Sequence, residues 1–289
     1  MTPGFSTIED ALRYATARLT DAGLASPRQE ARQLVAAALN IDSLALYSAS
    51  DRAYDPALQA RLIQFIDTRT AGEPVSRIRG EREFWSLPIG LSDDVLDPRP
   101  ETELLVEAAL AHLGRKQANG RPIHILEIGT GSGCLLLALV SELPNAVGTG
   151  IDRSPGALRT AAANAQVLGL ANRALWLCGS WVSPVSWQFD LVVSNPPYIA
   201  SGAIATLDRG VRAYDPALAL DGGPDGLAAY RAIIPALRPV IQPTGAAFLE
   251  IGCTQAADVT GIARRSGFHA QTAMDLAGMP RCVALMPEI

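Results

Sequence analysis

The sequence is poor in the side chains that bind metals or form disulfides. It contains three histidines and four cysteines among 289 residues, and no histidine stands at metal-ligand spacing from another ligand. The cysteines are far apart, form no Cys-x-x-Cys pair and lie mostly in apolar segments. They are Cys134, Cys178, Cys253 and Cys282. We therefore predict no metal site and no disulfide framework, and we expect reduced thiols in a core.

Long hydrophobic runs are also missing. The longest, Cys134 to Val140, is far shorter than the roughly 20 residues that span a bilayer. The amino terminus carries Glu9, Asp10 and Arg13, where a secretory signal would have a basic start and an apolar core. We therefore expect a cytoplasmic protein that does not enter a membrane.

Positive charge is not in excess either. The net charge is -5 and the isoelectric point is near 5.3, whereas a protein that neutralises many phosphates usually has the opposite balance. An acidic total does not exclude a local basic patch, but it disfavours nucleic acid as a substrate. Apolar residues make up 48% of the chain, which is ample for a buried core.

The sequence pattern of residues 1–74 predicts a small helical domain that serves in docking or substrate recognition. Apolar residues recur at helical spacing from Ile8 to Leu19. Ser26-Pro27-Arg28-Gln29 has the pattern of a capping box with Pro at the first helical position, and Asp55-Pro56 starts a further helix. Gly72 then supplies a stop.

Residues 75–97 interrupt the helical pattern. Apolar residues from Phe84 to Val95 are interspersed with Gly80, Pro88 and Gly90, which favours a β-hairpin that links two domains. The second domain is expected over residues 98–289. Its first helix begins near Glu101, because acidic residues suit the positive end of a helix.

In the second domain, short apolar runs alternate with helical patterns. This alternation predicts an α/β fold, with a mostly parallel sheet covered by helices on both faces. The tail from Phe268 to Met286 predicts two final strands, not another crossover. The other predicted strands are Ile123 to Ile128, Val147 to Ile151, Leu175 to Cys178, Leu191 to Ser194 and Ala246 to Ile251.

A glycine-rich loop, Gly129-Thr130-Gly131-Ser132-Gly133, follows the first of these strands directly. Dinucleotide-binding loops place the third glycine one position later, where the helix faces a pyrophosphate. The shorter loop suits a ligand without phosphate whose amino-acid portion packs on exposed backbone. We therefore predict S-adenosylmethionine as the ligand.

Two residues at later strand ends are candidates for the same ligand. Asp152 lies nineteen positions after Gly133, close to the roughly 20-residue offset at which an acid binds ribose hydroxyls; capping of the helix at Ser154-Pro155 is the alternative. Trp181 follows the third strand and is placed to cover an adenine face, although a Trp in apolar surroundings is more often a core residue.

Asn195-Pro196-Pro197-Tyr198 closes the strand that ends at Ser194. The prolines remove two backbone donors, so the segment offers mainly acceptors. The Asn oxygen and a neighbouring carbonyl can accept the two hydrogens of a planar NH₂ group while the Tyr ring packs on its face. A Pro-rich turn that merely ends a strand explains the tetrapeptide alone equally well.

Together these segments resemble the class I S-adenosylmethionine-dependent methyltransferases, and within them the protein-(glutamine-N5) methyltransferases that modify release factors. The resemblance extends over nearly the whole chain and includes the amino-terminal helices. Its motifs are Arg82 to Pro88, Pro98-Arg99-Pro100-Glu101-Thr102-Glu103, Glu127 to Gly133, Asn195 to Tyr198 and Asp221 to Gly226. It implies a Rossmann-like methyltransferase sheet with an antiparallel C-terminal strand. Related enzymes that act on a ribosomal protein share Asn-Pro-Pro-Tyr but differ at the segments around Trp85 and Pro98.

By matching position, the resemblance implies cofactor contacts at Gly129 to Gly133, Asp152, Trp181 and Asn195. It implies substrate contacts at Asn195 to Tyr198, with Asn195, Pro196 and Tyr198 as the catalytic residues. The expected substrate is the glutamine of the Gly-Gly-Gln motif in class 1 peptide chain release factors, and the expected enzyme is a monomer. Ser180 departs from the family, where Asp is common, and this predicts a weaker adenine contact.

Three rival functions stay open. The same NH₂ clamp suits the amine of a flipped adenine, a ribosomal protein could supply the glutamine, and a cofactor-binding adaptor could keep the fold without the reaction. The acidic charge disfavours the first rival. The intact glycine loop and Asn195 to Tyr198 disfavour the adaptor.

Overall fold

The computed structural model describes residues 4–48, 51–114 and 121–288. Its contacts divide the chain into two units, residues 1–80 and 81–289. No helix in the described residues is long and apolar enough to cross a membrane. The domain boundaries predicted from the sequence, after residues 74 and 97, remain a prediction.

The first unit consists of helices packed around an apolar core. These are α1 (Ile8–Asp21), α2 (Pro27–Leu39), α3 (Gln59–Thr70) and α4 (Val75–Arg79). Leu19, Leu34 and Leu62 are fully buried between them, which confirms the helical pattern read from the sequence. An ion pair between Arg69 and Glu30, 2.6 Å from Nε to Oε2, joins α3 to α2.

One of the two predicted helix starts in this unit differs in the structure. Ser26 precedes α2, but its side chain makes no capping bond, so the capping box predicted there is wrong. A capping box forms instead at α1, where the hydroxyl of Thr7 accepts from the Asp10 N–H and the Asp10 carboxylate accepts from the Thr7 N–H. Asp55 does start a helical segment, because its Oδ1 accepts from the N–H of Ala57 at 2.9 Å.

The second unit opens with a β-hairpin of β1 (Glu81–Phe84) and β2 (Leu87–Gly90). Trp85 and Ser86 form its turn with φ of 53° and 58°, a left-handed conformation that side chains normally avoid. Oε1 of Glu103 accepts from the Trp85 N–H at 2.8 Å. This bond stabilises the turn.

After the hairpin, the second unit is built on a seven-stranded sheet. Its strands are β3 (Ile123–Ile128), β4 (Ala146–Asp152), β5 (Ala174–Cys178), β6 (Phe189–Ser194), β7 (Ile241–Glu250), β8 (Phe268–Met274) and β9 (Pro280–Pro287). Their spatial order is β5-β4-β3-β6-β7-β9-β8. Pairing is parallel from β5 to β7, and β9 is antiparallel to both of its neighbours. The predicted Rossmann-like sheet with an antiparallel C-terminal strand is confirmed.

Helices cover both faces of the sheet. They are α5 (Glu103–Leu113), α6 (Cys134–Glu142), α7 (Pro155–Val167), α10 (Ala228–Ala236) and α11 (Ala256–Arg265). Two short helices, α8 (Arg209–Arg212) and α9 (Ala217–Leu220), lie between β6 and α10 along the chain. Successive strand residues enter opposite cores: Ile125 packs with α5 and α6, whereas Leu126 packs with α10 and α11. The near-continuous apolar runs of the central strands follow from this burial on both sides.

The strand order reverses between β3 and β6, since the chain moves outward through β4 and β5 and then returns to β6. Ile128 and Ser194 are paired at the carboxyl ends of these two strands. In open α/β sheets, ligands bind at such a switch point. The topology therefore places the glycine loop beside Asn195.

The cysteines are all free thiols. Cys134 and Cys282 are buried as expected, and Cys253 is half-buried. Cys178 is exposed at the end of an edge strand, so the prediction of a core position is wrong for it.

Candidate active site

The glycine loop between β3 and α6 adopts a left-handed backbone at alternate positions. Gly129, Gly131 and Gly133 have φ of 70°, 52° and 79°, which explains the G-x-G-x-G spacing because only glycine adopts these angles without strain. The N–H groups of Gly129 and Thr130 both donate to the Ile151 carbonyl, at 2.8 and 2.9 Å. The loop is thereby tied to β4.

A cavity of about 520 Å³ lies at this edge of the sheet. Eight of the predicted site residues line it: Gly129, Thr130, Gly131, Ser132, Asp152, Trp181, Asn195 and Pro197. A Cβ on Gly129 or Gly131 would meet no atom within 4 Å, so the space beside both residues is open. The size is typical of a small-molecule site.

Three predicted residues do not line the cavity: Gly133, Pro196 and Tyr198. A Cβ on Gly133 would lie 3.0 Å from the Trp176 ring and 3.1 Å from Ala161. Gly133 therefore permits close packing of the loop on α7 and β5. Pro196 is buried and Tyr198 is half-buried.

Asp152 accepts hydrogen bonds from two backbone N–H groups beside the cavity. Its Oδ1 accepts from the Ser154 N–H at 2.9 Å, and its Oδ2 accepts from the Gly131 N–H at 2.9 Å. The cap of α7 itself is Ser154, whose hydroxyl accepts from Ala157. Asp152 thus fixes the glycine loop, and its half-buried carboxylate, which lines the cavity, keeps lone pairs for a ligand.

Glu127 is a second acid in the cavity wall, and the sequence analysis did not single it out. It is 2% exposed and accepts a hydrogen bond from the Thr130 hydroxyl. Burial raises the pKa of Glu127 to about 8, although the bond from Thr130 opposes this rise. A cationic ligand beside Glu127 would favour its ionised form.

The glycine loop and the two acids fit S-adenosylmethionine. This cofactor carries an ammonium and a sulfonium charge, and its amino-acid portion can approach the open backbone at Gly129 and Gly131. Trp181 lies in the same wall with φ of 52°, a strained value for a bulky residue that is typical of functional sites. Its half-buried side chain also packs against the apolar core of this unit. In the described residues, no group of three His, Cys, Asp or Glu side chains could hold a metal ion.

Asn195 belongs to a hydrogen-bonded chain that the sequence did not reveal. Its Nδ2 donates to the Thr102 hydroxyl at 3.2 Å, and Thr102 donates to Oε2 of Glu250 at 2.6 Å. The Tyr198 hydroxyl donates to Oε1 of the same carboxylate at 3.2 Å. Thr102 and Glu250 are both 2% exposed.

The Asp221 to Gly226 loop and Gln255 hold the backbone at the end of the tetrapeptide and at Ile199, which follows it. The Gly222 N–H donates to the Ile199 carbonyl at 2.8 Å. Nε2 of Gln255 donates both to the Tyr198 carbonyl at 3.0 Å and to the Gly226 carbonyl at 3.2 Å. A Cβ on Gly226 would collide with the Tyr198 carbonyl oxygen. A Cβ on Gly222 would likewise lie 2.8 Å from the Pro197 carbonyl oxygen, so Gly222 and Gly226 are needed for close contact with the tetrapeptide.

The segment from Pro98 to Glu103 serves the cavity more than it serves helix capping. Pro98 and Thr102 line the cavity, and Thr102 makes no side-chain cap for α5. Arg99 forms an ion pair with buried Asp215, 2.6 Å from Nη2 to Oδ2. Because the residues after Asp215 lead into α9, this pair joins two walls of the cavity.

Sequence reasoning thus missed Glu127, Thr102 and Glu250. A signal for Glu250 was present, because it is an acid near the carboxyl end of an apolar strand, as Asp152 is, although it lacks the offset from the glycine loop that selected Asp152. Glu127 and Thr102 stood inside motifs, but nothing local to them indicated that they are buried.

Comparison with known proteins gives two family matches. Residues 10–80 match the model of the PrmC N-terminal domain. Residues 81–217 match the model of the methyltransferase small domain.

Similar proteins match nearly the whole chain. A release factor glutamine methyltransferase of Rhodospirillum rubrum is 46% identical over 92% of this chain and 81% of its own length. One of Bradyrhizobium diazoefficiens is 45% identical over 96% of this chain and 94% of its own length. Among solved structures, the ribosomal protein L11 methylase of Lactobacillus delbrueckii subsp. bulgaricus has a TM-score of 0.50 at 18% identity, covering 70% of this chain and 86% of that chain. At this identity the likeness shows the fold alone.

Proposed function

The chain belongs to the release factor glutamine methyltransferases and is an S-adenosylmethionine-dependent glutamine methyltransferase; we propose that its substrate is the glutamine of the Gly-Gly-Gln motif in class 1 peptide chain release factors. The methyl group is transferred to the side-chain amide nitrogen, N5. The proposal includes a cytoplasmic, monomeric enzyme.

The observation that carries the proposal is the state of the Asn195 amide beside the cavity. Nδ2 is bonded to Thr102, so Oδ1 keeps its lone pairs for a ligand. No donor in the described residues reaches Oδ1 or the Pro196 carbonyl. Two acceptors on consecutive residues suit the two hydrogens of a primary amide. Pro196 does not line the cavity, so it would take part through its carbonyl oxygen alone.

The chemical difficulty is the nucleophile, because an amide nitrogen delocalises its lone pair into the carbonyl group. Asn195 Oδ1 and the Pro196 carbonyl would engage both hydrogens and turn the nitrogen lone pair toward the cofactor. When bound, S-adenosylmethionine supplies a methyl group on a positively charged sulfur. The new N–C bond forms as the C–S bond breaks, with the C–S electron pair left on sulfur.

Positive charge then develops on N5, and the two hydrogen bonds to it strengthen. This is stabilisation of the transition state rather than of the bound substrate. The methylated nitrogen is strongly acidic and loses a proton to water afterwards, which agrees with the absence of a histidine or carboxylate from Asn195 to Tyr198.

The cofactor contacts carried over from the family are part of the proposal. Gly129 to Gly133 and Asp152 would hold the amino-acid and ribose portions, and Trp181 would cover the adenine. Glu127 is added as an acid that ionises beside the cationic cofactor. The stacking role of Tyr198 stays a prediction, since its hydroxyl is directed to Glu250.

Methyl incorporation from labelled S-adenosylmethionine tests the substrate. We expect labelling of a class 1 release factor and none of its variant with Gln replaced by Ala in the Gly-Gly-Gln motif. Parallel reactions contain ribosomal proteins and nucleic acid of mixed sequence. Labelling of either of these alone would overturn the proposal, and no labelling of any acceptor would favour a cofactor-binding adaptor.

A further inference from the structure

A buried carboxylate at the end of β7 lies behind the proposed amide clamp. Both oxygens of Glu250 accept hydrogen bonds, one from Thr102 and one from Tyr198. Neither Glu250 nor Tyr198 lines the cavity, whereas Thr102 and Asn195 do. The carboxylate therefore acts on the cavity only through these neighbours.

The donor and acceptor properties of this chain determine its direction. An ionised carboxylate can only accept, so the single hydroxyl proton of Thr102 must point to Glu250. The Thr102 oxygen can then only accept from Asn195, which requires Nδ2 on that side. Oδ1 is consequently the atom left for a ligand.

Reversal of the chain would reverse the clamp. If Thr102 donated to Asn195, the amide would turn to place Oδ1 against Thr102 and Nδ2 toward the ligand. An NH₂ group facing the NH₂ group of a glutamine gives no hydrogen bond. The orientation of one amide thus separates a competent clamp from an incompetent one.

We propose that Thr102 and Glu250 are positioning residues for methyl transfer, which hold the Asn195 amide with its oxygen toward the substrate nitrogen. The inference rests on the proposed function. It gives the Pro98 to Glu103 segment a part in the reaction that neither its helix start nor its place in the cavity wall explains.

The surroundings of Glu250 make the orientation sensitive to pH. Burial raises the pKa of Glu250 to about 7, although the bonds from Thr102 and Tyr198 favour the carboxylate. A protonated Glu250 can donate to Thr102 and so permit the reversed chain. Several ionisable groups act on Glu250 or lie against it. They are Arg281 and Cys282 on β9, Cys134 on α6, Glu101 before α5, Tyr198 after β6 and Tyr230 on α10.

Two substitutions at Thr102 test the hydroxyl. Thr102→Val keeps the shape but can neither donate nor accept, and we expect kcat to fall by about 10-fold to 100-fold, as for a modest misplacement of a reacting group. Because the clamp acts after docking, KM for the release factor and the calorimetric Kd for S-adenosylmethionine should stay close to wild type. Thr102→Ser restores the hydroxyl and should restore most of kcat.

A matched control removes a different buried hydroxyl. Thr149 lies in β4, is 7% exposed and does not line the cavity, so Thr149→Val should leave kcat unchanged. Wild-type kcat in Thr102→Val, or an equal loss in Thr102→Ser, would contradict the role of the hydroxyl.

The pH dependence of kcat tests Glu250. In the wild type, kcat should fall as the pH is lowered through about 7. This fall in kcat at acidic pH should be absent in Glu250→Gln, whose kcat should be lower than that of the wild type at high pH. The same fall in the variant would overturn the part assigned to Glu250. The proposed function is judged separately. If the wild type itself does not label release factors, the proposed function is wrong. If Thr102→Val labels them normally, only the positioning role is wrong.

Discussion

The side-chain amide of Asn195 has a donor end and an acceptor end, and the protein engages only the donor end. Thr102 accepts from Nδ2, whereas no described residue donates to Oδ1. A polar atom beside a cavity without a partner in the protein is costly unless water or a ligand satisfies it. The residue therefore carries a chemical preference, for a donor, that the cavity shape alone would not supply.

Replacement of Asn195 by Ala should remove one acceptor from the amide clamp. We expect turnover to fall by something like 10²-fold to 10³-fold, as when one charge-stabilising hydrogen bond is lost. Affinity for S-adenosylmethionine should fall much less, because the glycine loop and Asp152 are unchanged. Steady-state turnover with a release factor and calorimetric titration of the cofactor measure the two effects, and exposed Asn172→Ala is the control. Near-normal turnover in Asn195→Ala would refute the clamp.

At the scale of elements, the tetrapeptide depends on a loop that is distant in sequence. The Asp221 to Gly226 loop contacts its backbone, and Gln255 at the start of α11 bonds the two segments together. Prolines cannot donate, so Pro196 and Pro197 cannot secure this backbone themselves. The loop supplies the rigidity that the clamp requires.

Two glycine substitutions separate backbone strain from contact with the tetrapeptide. Gly226 and Gly267 have φ of 76° and 78°, so Ala at either position should cost about 1–2 kcal/mol of stability. A Cβ on Gly267 meets no atom within 4 Å, whereas one on Gly226 meets the Tyr198 carbonyl. Gly226→Ala should therefore lose a further 1–3 kcal/mol or so from overpacking, and kcat should also fall.

Urea unfolding and turnover of both variants check this prediction. Gly267 precedes β8 and lies at the sheet edge opposite the cavity, so Gly267→Ala should retain its kcat. Equal stabilities, or an unchanged kcat in Gly226→Ala, would show that the loop does not position the tetrapeptide.

At the scale of the whole molecule, the sequence predicted features that depend on local pattern. The strands, the glycine loop and the Asp152 position follow from alternating hydrophobicity and fixed offsets along the chain. The Asn195–Thr102–Glu250 chain could not be predicted in this way, since its members lie 93 and 148 residues apart. Only the pairing of β6 with β7 and the docking of α5 bring them together. Ser26 shows the opposite kind of error. The local pattern there is that of a capping box, but the Ser26 side chain does not form the capping hydrogen bond.

The buried acid Glu127 should make the stability of the whole molecule depend on pH. Burial raises the pKa of Glu127 from 4.5 to about 8, so between these values the folded protein holds a proton that the unfolded chain has released. Unfolding then releases this proton, and the free energy of unfolding of the cofactor-free protein should decrease as the pH rises through this window. One proton contributes a slope of at most about 1.4 kcal/mol per pH unit.

Glu127→Gln removes this contribution, because glutamine does not titrate. Its stability relative to the wild type should therefore increase steadily from pH 5 to about pH 8, while Glu250 contributes the same dependence to both proteins. Thermal and urea unfolding across this range measure the difference, with exposed Glu107→Gln as the control. Saturating S-adenosylmethionine should flatten the wild-type dependence, since a nearby cation lowers the pKa of Glu127. Parallel curves for the wild type and Glu127→Gln would show that Glu127 titrates in the folded protein as it does in the unfolded chain.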